Sequence, residues 1–303
     1  MSERRTILGI VHHSFFGDLF RPPAEEFYES LEAVKQNGRF RAIEIGYAGD
    51  LSASELDRLR SALQHFQVIV VNGGGVLSGG GFSLCHTDQG RLEESVEMAK
   101  QVIDFSCRID AEACLFPSGD DPGEAGRRMA YHSLIQSLSD ICAHAERRSG
   151  GKLVVTVEQM DRSFHHRQLL GPIRETVAAL EAVRAGCDNI GLTFDIAHSP
   201  QLGEDPVEAL TLAADVVYQV HLGNAVVDDR ENPFYGDRHP PFGVDGSVFG
   251  ESELGEFLSH VRDRRLLPAS AVMALEVRTP DGEDPYETLE RTREVFLSAW
   301  GRE

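Results

Sequence analysis

The sequence predicts a closed (β/α)₈ barrel, known as a TIM barrel, formed by the whole chain. Eight short apolar runs alternate with eight segments of helical spacing, and this alternation gives parallel strands joined by crossover helices. The runs are rich in β-branched residues and lack a polar face, as strands buried on both sides do. Eight such units over 303 residues fit a closed barrel better than a doubly wound open sheet.

The predicted strands cover residues 7–11, 42–45, 68–71, 113–116, 153–158, 190–195, 216–221 and 271–276. The helical segments follow them in order and cover residues 25–37, 54–65, 91–108, 124–148, 173–185, 206–214, 253–264 and 285–300. Ser52 and Glu55 have the spacing of a capping box at the start of the second helix. Because no linker, low-complexity tract or charge run interrupts the pattern, we expect a single domain over residues 1–303.

The composition is that of an ordinary soluble protein, with 41% hydrophobic and 26% charged residues. The net charge of −20 argues against binding to nucleic acid, because an acidic surface repels phosphate backbones. The first residues show no signal-peptide pattern, and no apolar stretch is long enough to cross a bilayer. The five cysteines form no CxxC pair, so we expect a cytoplasmic protein with reduced thiols.

Polar residues end four consecutive predicted strands in the second half of the chain. They are Glu158, Asp195, His221 and Glu276. A buried polar group is costly unless it has a partner, and three carboxylates with one imidazole suggest a shared divalent cation. Since cysteine is absent from the set, a structural zinc is disfavoured; Mn²⁺ is the preferred ion, with Mg²⁺, Co²⁺ or Zn²⁺ as alternatives. Any one of these residues alone would be read equally well as a salt-bridge or capping residue.

Further polar residues stand where strands end, and all are expected to face the mouth of the barrel, where such barrels carry their chemistry. They are His12, His13, Glu44, Asn72, Ser118, Gln159 and Arg278. Among these we assign His12, Asn72, Gln159 and Arg278 to substrate binding. Arg278 lies two residues beyond Glu276 and so shares its direction along the strand. His198, three residues after Asp195, is a candidate catalytic group. The glycine-rich stretch 73–81 is predicted to be a loop without a dinucleotide-binding fingerprint.

The pattern Glu158 … FDIAH … VHLGN … LEV resembles the sugar phosphate isomerase/epimerase branch of the xylose isomerase-like barrel superfamily. The resemblance extends over nearly the whole chain. It implies a divalent metal held by Glu158, Asp195, His221 and Glu276. It also implies that the two glutamates move protons: one removes a proton next to a carbonyl of a sugar, keto-sugar or cyclitol, the metal stabilises the enediolate, and the other returns the proton.

The connection between His221 and Glu276 is unusually long. It includes residues 222–255, of which only the last few belong to the next helical segment. Its aromatic residues, prolines and glycines favour an ordered lid over disorder. His239 in this segment is a candidate acid, base or substrate clamp. The segment HLGN … YGDRHPPFG also resembles the catalytic subunits of bacterial C-glycoside deglycosidases. That resemblance implies an alternative, a metal-dependent lyase that cleaves a 3-oxo-glycoside through the same enolate chemistry.

Two other classes of function are considered. An AP endonuclease-like phosphodiesterase would need several zinc ions and a basic face, and the net charge argues against it. The extra nitrogen ligands it needs would have to come from His12, His86, His198 and His239. A barrel that acts only as a binding subunit would be expected to have a broken ligand set, whereas this set is complete.

The partner predicted from the sequence is a small carbohydrate, either phosphorylated or free. We expect a homo-oligomer, and a hetero-oligomer with a second subunit stays open. Three apolar residues of the last helix, Val295, Phe296 and Trp300, either dock against a neighbour or close the barrel, and closure is favoured.

Overall fold

The structure, a computed structural model, describes residues 6–17, 23–72, 81–268 and 270–301. Within these ranges eight parallel strands form a closed barrel in sequential order. The strands are β1 (Ile7–Val11), β2 (Ala42–Gly46), β3 (Gln67–Val71), β4 (Ala113–Phe116), β5 (Val154–Glu158), β6 (Ile190–Asp195), β7 (Val217–Leu222) and β8 (Val272–Leu275). The predicted fold is therefore confirmed. Apart from Gly81, the predicted glycine-rich loop lies outside the described residues.

Helices surround the barrel. In the described ranges they are α1 (His12–Phe16), α2 (Glu25–Asn37), α3 (Ala53–Leu63), α4 (Gln89–Arg108), α5 (Glu124–Ser149), α6 (Ile173–Arg184), α7 (His198–Gln201), α8 (Pro206–Ala213), α9 (Glu251–Arg264) and α10 (Pro285–Trp300). Eight of them correspond to the predicted helices, and the predicted capping box of α3 is present. The short helices α1 and α7 were not predicted, because each occupies only a few residues directly after a strand.

The core has two layers, one inside the barrel and one between the barrel and the helices. The inner cluster consists of small and branched side chains, including Ala42, Ile69 and Leu115. The outer cluster is larger and takes in the apolar faces of the helices. Gly9 of β1 belongs to the inner layer, where a methyl group would meet Ala42 Cβ at 3.0 Å. The barrel interior is therefore a packed core, and the room for a ligand lies above it.

The last helix packs against the barrel as expected for a closing element. Phe296 is buried, and Val295 and Trp300 pack against the same outer core cluster. The rings of Phe296 and Trp300 stack with their centroids 5.9 Å apart. In the described part of the chain, no helix is both long enough and apolar enough to cross a bilayer.

The long connection after β7 is ordered, as predicted, and Asn224 holds its two ends together. The side-chain amide of Asn224 donates to the carbonyl oxygens of Pro241 and Phe249 at 3.1 and 3.0 Å. Its side-chain oxygen accepts from the backbone nitrogen of Phe249 at 2.9 Å. A buried asparagine with three such bonds fixes a segment that has no helix or strand of its own. The segment turns inward between these points and carries Asp237 and His239 to the barrel mouth.

Candidate metal centre

A cavity of about 80 Å³ lies at the C-terminal ends of the strands. One part of its wall is apolar and includes Val71, Leu115, Pro117 and Met160. The other part is polar and includes His13, Glu44, Asn72, Glu158, His166, His198, His221, Asp237, His239, Glu276 and Arg278. A wider surface groove of about 1080 Å³ beside α10 contains none of the predicted site residues. We therefore take the small polar cavity as the functional site.

Three of the four predicted ligands surround one point of the cavity. Candidate ligand atoms of Glu158, His221 and Glu276 lie within 4.8 Å of one another. Nδ1 of His221 is 2.7 Å from Oε2 of Glu276 and 3.6 Å from Oε1 of Glu158. These residues come from the end of β5, from β7 and from the position directly after β8. Strands that are distant in sequence thus converge because their carboxyl ends share one mouth.

The fourth predicted ligand, Asp195, joins this group to a second one. Atoms of Asp195, His198 and His239 also lie within 4.8 Å of one another. Nε2 of His198 is 3.4 Å from both Asp195 Oδ2 and Glu158 Oε1, and Nδ1 of His239 is 3.8 Å from Asp195 Oδ2. The four predicted ligands and the two predicted catalytic histidines therefore form one continuous, largely buried cluster.

The cluster has the chemistry of a cation site. Nδ1 of His221 and Oε2 of Glu276 face each other at 2.7 Å and make no other hydrogen bond with the described residues. Three further buried atoms have no hydrogen-bond partner among the described residues: Asp195 Oδ2, His198 Nδ1 and His239 Nδ1. Each such atom costs on the order of 1–3 kcal/mol if it stays unpaired. Carboxylate oxygens and imidazole nitrogens are ligands of Mn²⁺, Co²⁺ and Zn²⁺. The residues present thus fit a divalent cation.

The charges of the cluster balance one another. Burial raises the pKa of Asp195 to about 6, although His198 and His239 oppose the shift. Burial also disfavours the charged form of Glu276, yet the neighbouring His239 and His221 hold the pKa of Glu276 below its usual value. The carboxylates in turn raise the pKa of His221 well above its ordinary value despite burial. A cation bound here would replace the positive charge that protonated imidazoles otherwise supply.

Two residues predicted to bind substrate lie outside the cavity wall. The chain turns into α1 at His12, so the ring of His12 faces α2 and its Nε2 pairs with Ser30 Oγ at 2.8 Å. His13 lines the cavity instead. Gln159 donates from Nε2 to the backbone oxygen of Asp195 at 2.9 Å, and this bond fixes the backbone of that predicted ligand.

Of the other residues predicted to face the mouth, some line the cavity and one does not. Asn72 and Arg278 line the cavity, and the buried Nδ2 of Asn72 makes no hydrogen bond with any residue that the structure describes. Ser118, which was predicted only to face the mouth, accepts a hydrogen bond from the backbone nitrogen of Leu170 at 3.0 Å and so holds the loop after β5. Whether Asn72 and Arg278 contact substrate stays a prediction.

Sequence reasoning missed Asp237 and His166. Oδ1 of Asp237 is 3.1 Å from His239 Nε2 and 3.5 Å from His198 Nδ1, and Oδ2 is 2.6 Å from His166 Nε2. Asp237 stands two residues before His239 in the sequence, and residues so spaced share a direction in extended chain. That spacing could have revealed Asp237, whereas His166 lies in an irregular loop that gives no comparable signal.

The fold and the convergent strand-end residues define a barrel of the xylose isomerase type. The chain belongs to the xylose isomerase-like TIM barrel family, which it matches over residues 31–296. No curated protein matches the chain.

Solved structures share its fold at low sequence identity. An L-ribulose 3-epimerase is 17% identical with a TM-score of 0.75, covering 98% of this chain and 95% of its own. The IolI protein, solved with a zinc atom, is 15% identical with a TM-score of 0.72, covering 97% and 98%. The 3-keto-D-glucoside 4-epimerase YcjR from E. coli is 15% identical with a TM-score of 0.65, covering 96% and 100%. Similarity at this level establishes the common barrel.

Proposed function

We propose that the chain is a divalent-metal-dependent isomerase or epimerase acting on a sugar, keto-sugar or cyclitol derivative. The observation that carries the proposal is that ligand atoms of Glu158, His221 and Glu276 lie within 4.8 Å of one another at one buried cavity. Asp195 is linked to this group through His198, and Asp195 Oδ2 has no hydrogen-bond partner among the described residues. The names of the similar structures support it, since two are sugar or keto-sugar epimerases and a third is recorded with zinc.

The cation would be held by Glu158, Asp195, His221 and Glu276. When bound, it would supply positive charge for the oxygens that become negative when a proton next to a carbonyl is removed. We favour Mn²⁺, because the set is rich in carboxylate oxygen and free of thiolate, with Mg²⁺, Co²⁺ and Zn²⁺ as alternatives.

The two glutamates are the proposed proton carriers. Glu158 ends β5 and Glu276 follows β8, so they approach the cavity from different sides of His221. A substrate carbon between them would lose its proton to one carboxylate and receive a proton from the other on the opposite face, which inverts its configuration. The apolar wall that includes Val71 and Leu115 would limit water in the cavity and strengthen these interactions.

The histidines and Arg278 would orient the substrate. His198 is buried beside Glu158 and Asp195, and its Nδ1, 3.5 Å from Asp237 Oδ1, makes no hydrogen bond within the described chain. We therefore assign His198 a hydrogen bond to a substrate oxygen or to Glu158. His239 would act beside it as a clamp or proton donor. Arg278 is exposed at the rim, where a guanidinium would bind an outer substrate oxygen.

A second candidate function is cleavage of a 3-oxo-glycoside by a lyase reaction. It is favoured by the segment after β7, which brings His239 and Asp237 into the cavity, and by the similarity to a structure named 3-keto-D-glucoside 4-epimerase. In this reaction a base removes the C2 proton, the C1–C2 double bond forms, and the bond from C1 to the aglycone breaks. The first step, removal of a proton next to the carbonyl, is the same as in epimerisation. In the lyase reaction the electron pair of the enolate then expels the aglycone, whereas in epimerisation the carbon is protonated again.

Metal content tests the ligand set. We expect the purified protein to contain a stoichiometric divalent metal by plasma mass spectrometry, and Glu158→Gln and His221→Ala to lose most of it because each removes a ligand. Glu112→Gln is the matched control and should keep its metal, since Glu112 is exposed just before β4 and is not among the residues that line the cavity. Full metal content in both ligand variants would contradict the proposal.

Isotope exchange then separates the two reactions. In D₂O, a panel of ketoses should acquire deuterium at the carbon next to the carbonyl together with a new epimer if the first function is right. With 3-oxo-glycosides, release of the aglycone would favour the lyase. Absence of exchange and of release with every substrate in both panels, by metal-loaded protein, would argue against enolate chemistry altogether.

A further inference from the structure

Glu44 is a buried carboxylate that the four-ligand set leaves without a role. It stands in β2, on the opposite side of the barrel from β6, and only 2% of its surface is exposed. Its Oε2 lies 3.0 Å from Nε2 of His221. A carboxylate this deeply buried is costly unless it is hydrogen-bonded, so its partners identify what it does.

A chain of hydrogen bonds across the barrel fixes Glu44 as an acceptor. Nε2 of Gln219 donates to Glu44 Oε2 at 3.1 Å and to Thr193 Oγ1 at 3.0 Å. Thr193 donates in turn to Thr156 Oγ1 at 3.1 Å, and Thr156 donates to the backbone oxygen of Cys114 at 3.4 Å. Each hydroxyl uses its one hydrogen, and the amide uses both of its own.

This pattern also determines the state of His221. Gln219 Nε2 lies 3.3 Å from His221 Nε2, but both amide hydrogens are already donated. Because Glu44 Oε2 already accepts a hydrogen bond from Gln219, His221 Nε2 is assigned the hydrogen and donates it to the same oxygen. The other ring nitrogen, Nδ1, then presents its lone pair to the cavity whenever the ring is neutral, toward Glu158 and Glu276.

We propose that Glu44 is a positioning residue, which holds His221 in the orientation and tautomer that bind a divalent cation through Nδ1. The inference rests on the proposed metal centre. Histidine ligands generally donate their second N–H to a carboxylate or carbonyl, and loss of that partner lowers metal affinity by roughly 10–100-fold. Gln219 holds Glu44 in place in turn, because it donates a hydrogen bond to Glu44 Oε2 and a second one to Thr193 Oγ1.

The test is the affinity of Glu44→Gln for Co²⁺ alone, measured by calorimetry and by the visible spectrum of the bound ion. A glutamine of the same shape can turn its NH₂ group toward His221 Nε2, which favours the tautomer whose Nδ1 cannot bind metal. We expect affinity to fall roughly 10–100-fold and the visible band to shift. The matched control is Glu112→Gln, which removes one negative charge from an exposed residue preceding β4 and should leave the affinity unchanged.

Thermal unfolding of the metal-free proteins separates positioning from folding. Glu44→Gln should unfold within a few degrees of the unmodified protein, while the extra stability that Co²⁺ confers is reduced. Should this variant fail to fold, Gln219→Met supplies the test, since it keeps Glu44 but removes a donor to it; we expect a smaller loss of affinity in the same direction.

Three results would count against the inference. Equal Co²⁺ affinity and an unchanged spectrum in Glu44→Gln, or in Gln219→Met when it is the variant used, would overturn the role of Glu44 alone. Equal weakening by Glu112→Gln would show that the effect is one of net charge. Absence of Co²⁺ binding by the unmodified protein would overturn the metal centre itself, and the positioning role would fall with it.

Discussion

His12 shows how a single buried side chain can set the acid sensitivity of this protein. Its ring packs against Phe16 and Phe27 and pairs with Ser30. Burial, assisted by the nearby His13, lowers the pKa of His12 from 6.5 to about 3. The unfolded chain therefore takes up a proton below pH 6.5, while the folded protein does not until about pH 3. The contribution of His12 to stability is thus retained above pH 6.5 and lost progressively as the pH falls toward 3.

We predict that His12→Gln reduces this loss. Glutamine has no titratable group and can keep the bond to Ser30. Between pH 7 and pH 5, the free energy of unfolding should fall by about 2 kcal/mol less in the variant than in the unmodified protein. Urea unfolding at the two pH values measures this, and the exposed His132→Gln is the control. An identical pH dependence in His12→Gln would contradict the lowered pKa.

At the residue scale, the sequence predicted the members of the site that end their own strands. Glu158, Asp195 and His221 are recognisable because each closes an apolar run that must be buried. Glu44 lies within such a run, and its role depends on a contact with a residue 177 positions away. Pairings across the barrel depend on which side chains face inward in the same layer, and a single sequence does not contain that information.

At the scale of elements, the segment after β7 is held by few residues and shapes the cavity. We predict that Asn224→Ala loosens it, because the substitution removes all three side-chain bonds of Asn224 and takes away the partner of the Phe249 nitrogen. The carbonyl oxygens of Pro241 and Phe249 keep backbone bonds from Val244 and Gly243. The free energy of unfolding should fall by at most roughly 1–3 kcal/mol for each buried group left unpaired. Hydrogen exchange in residues 225–249 should accelerate, and cation affinity should fall because His239 loses its support.

Asn232 provides the control for this prediction within the same segment. Its amide donates to the backbone oxygen of Asp245 at 3.0 Å, but at a more exposed position where water can take over. Asn232→Ala should change exchange only locally and leave cation affinity unaffected. Slow exchange throughout the segment in Asn224→Ala would show that other contacts hold it.

The boundaries of most elements were predictable to within one or two residues. The predicted last strand, 271–276, differs from β8 by one residue at each end, and the predicted capping box marks the start of α3. Both predictions use signals that lie within the element itself, an apolar run and a pair of capping residues. The turn of the chain into α1 directly after β1 was not predicted. Its residues, His12 to Phe16, have no side-chain N-cap; they pack against α2 and α10 and accept two hydrogen bonds from Thr279.

At the scale of the whole molecule, barrel closure depends on side-chain size inside the barrel. We predict that Gly9→Ala lowers stability by about 1–3 kcal/mol, because the added methyl would meet Ala42 Cβ and Val272 Cγ1 at 3.0 Å each. Gly90→Ala in the first turn of α4 is the control, since its methyl would meet only the side chain of Asp88, at 3.5 Å. Equal thermal stability of both variants would contradict close packing of the barrel interior.

The whole-molecule prediction succeeded because the eightfold alternation is a global pattern that few folds share. A single domain, a cytoplasmic location and a homo-oligomeric state were also expected from the sequence, and they stay predictions. Which substrate the cavity would select depends on the exact positions of the side chains that line it. Such contacts leave no trace in composition or periodicity.

Anomalous diffraction from crystals soaked in Mn²⁺ would show whether the four strand-end residues hold one cation. We expect an anomalous peak within bonding distance of Glu158, Asp195, His221 and Glu276. A peak bound elsewhere, or no peak in crystals in which these four residues are ordered, would contradict this expectation.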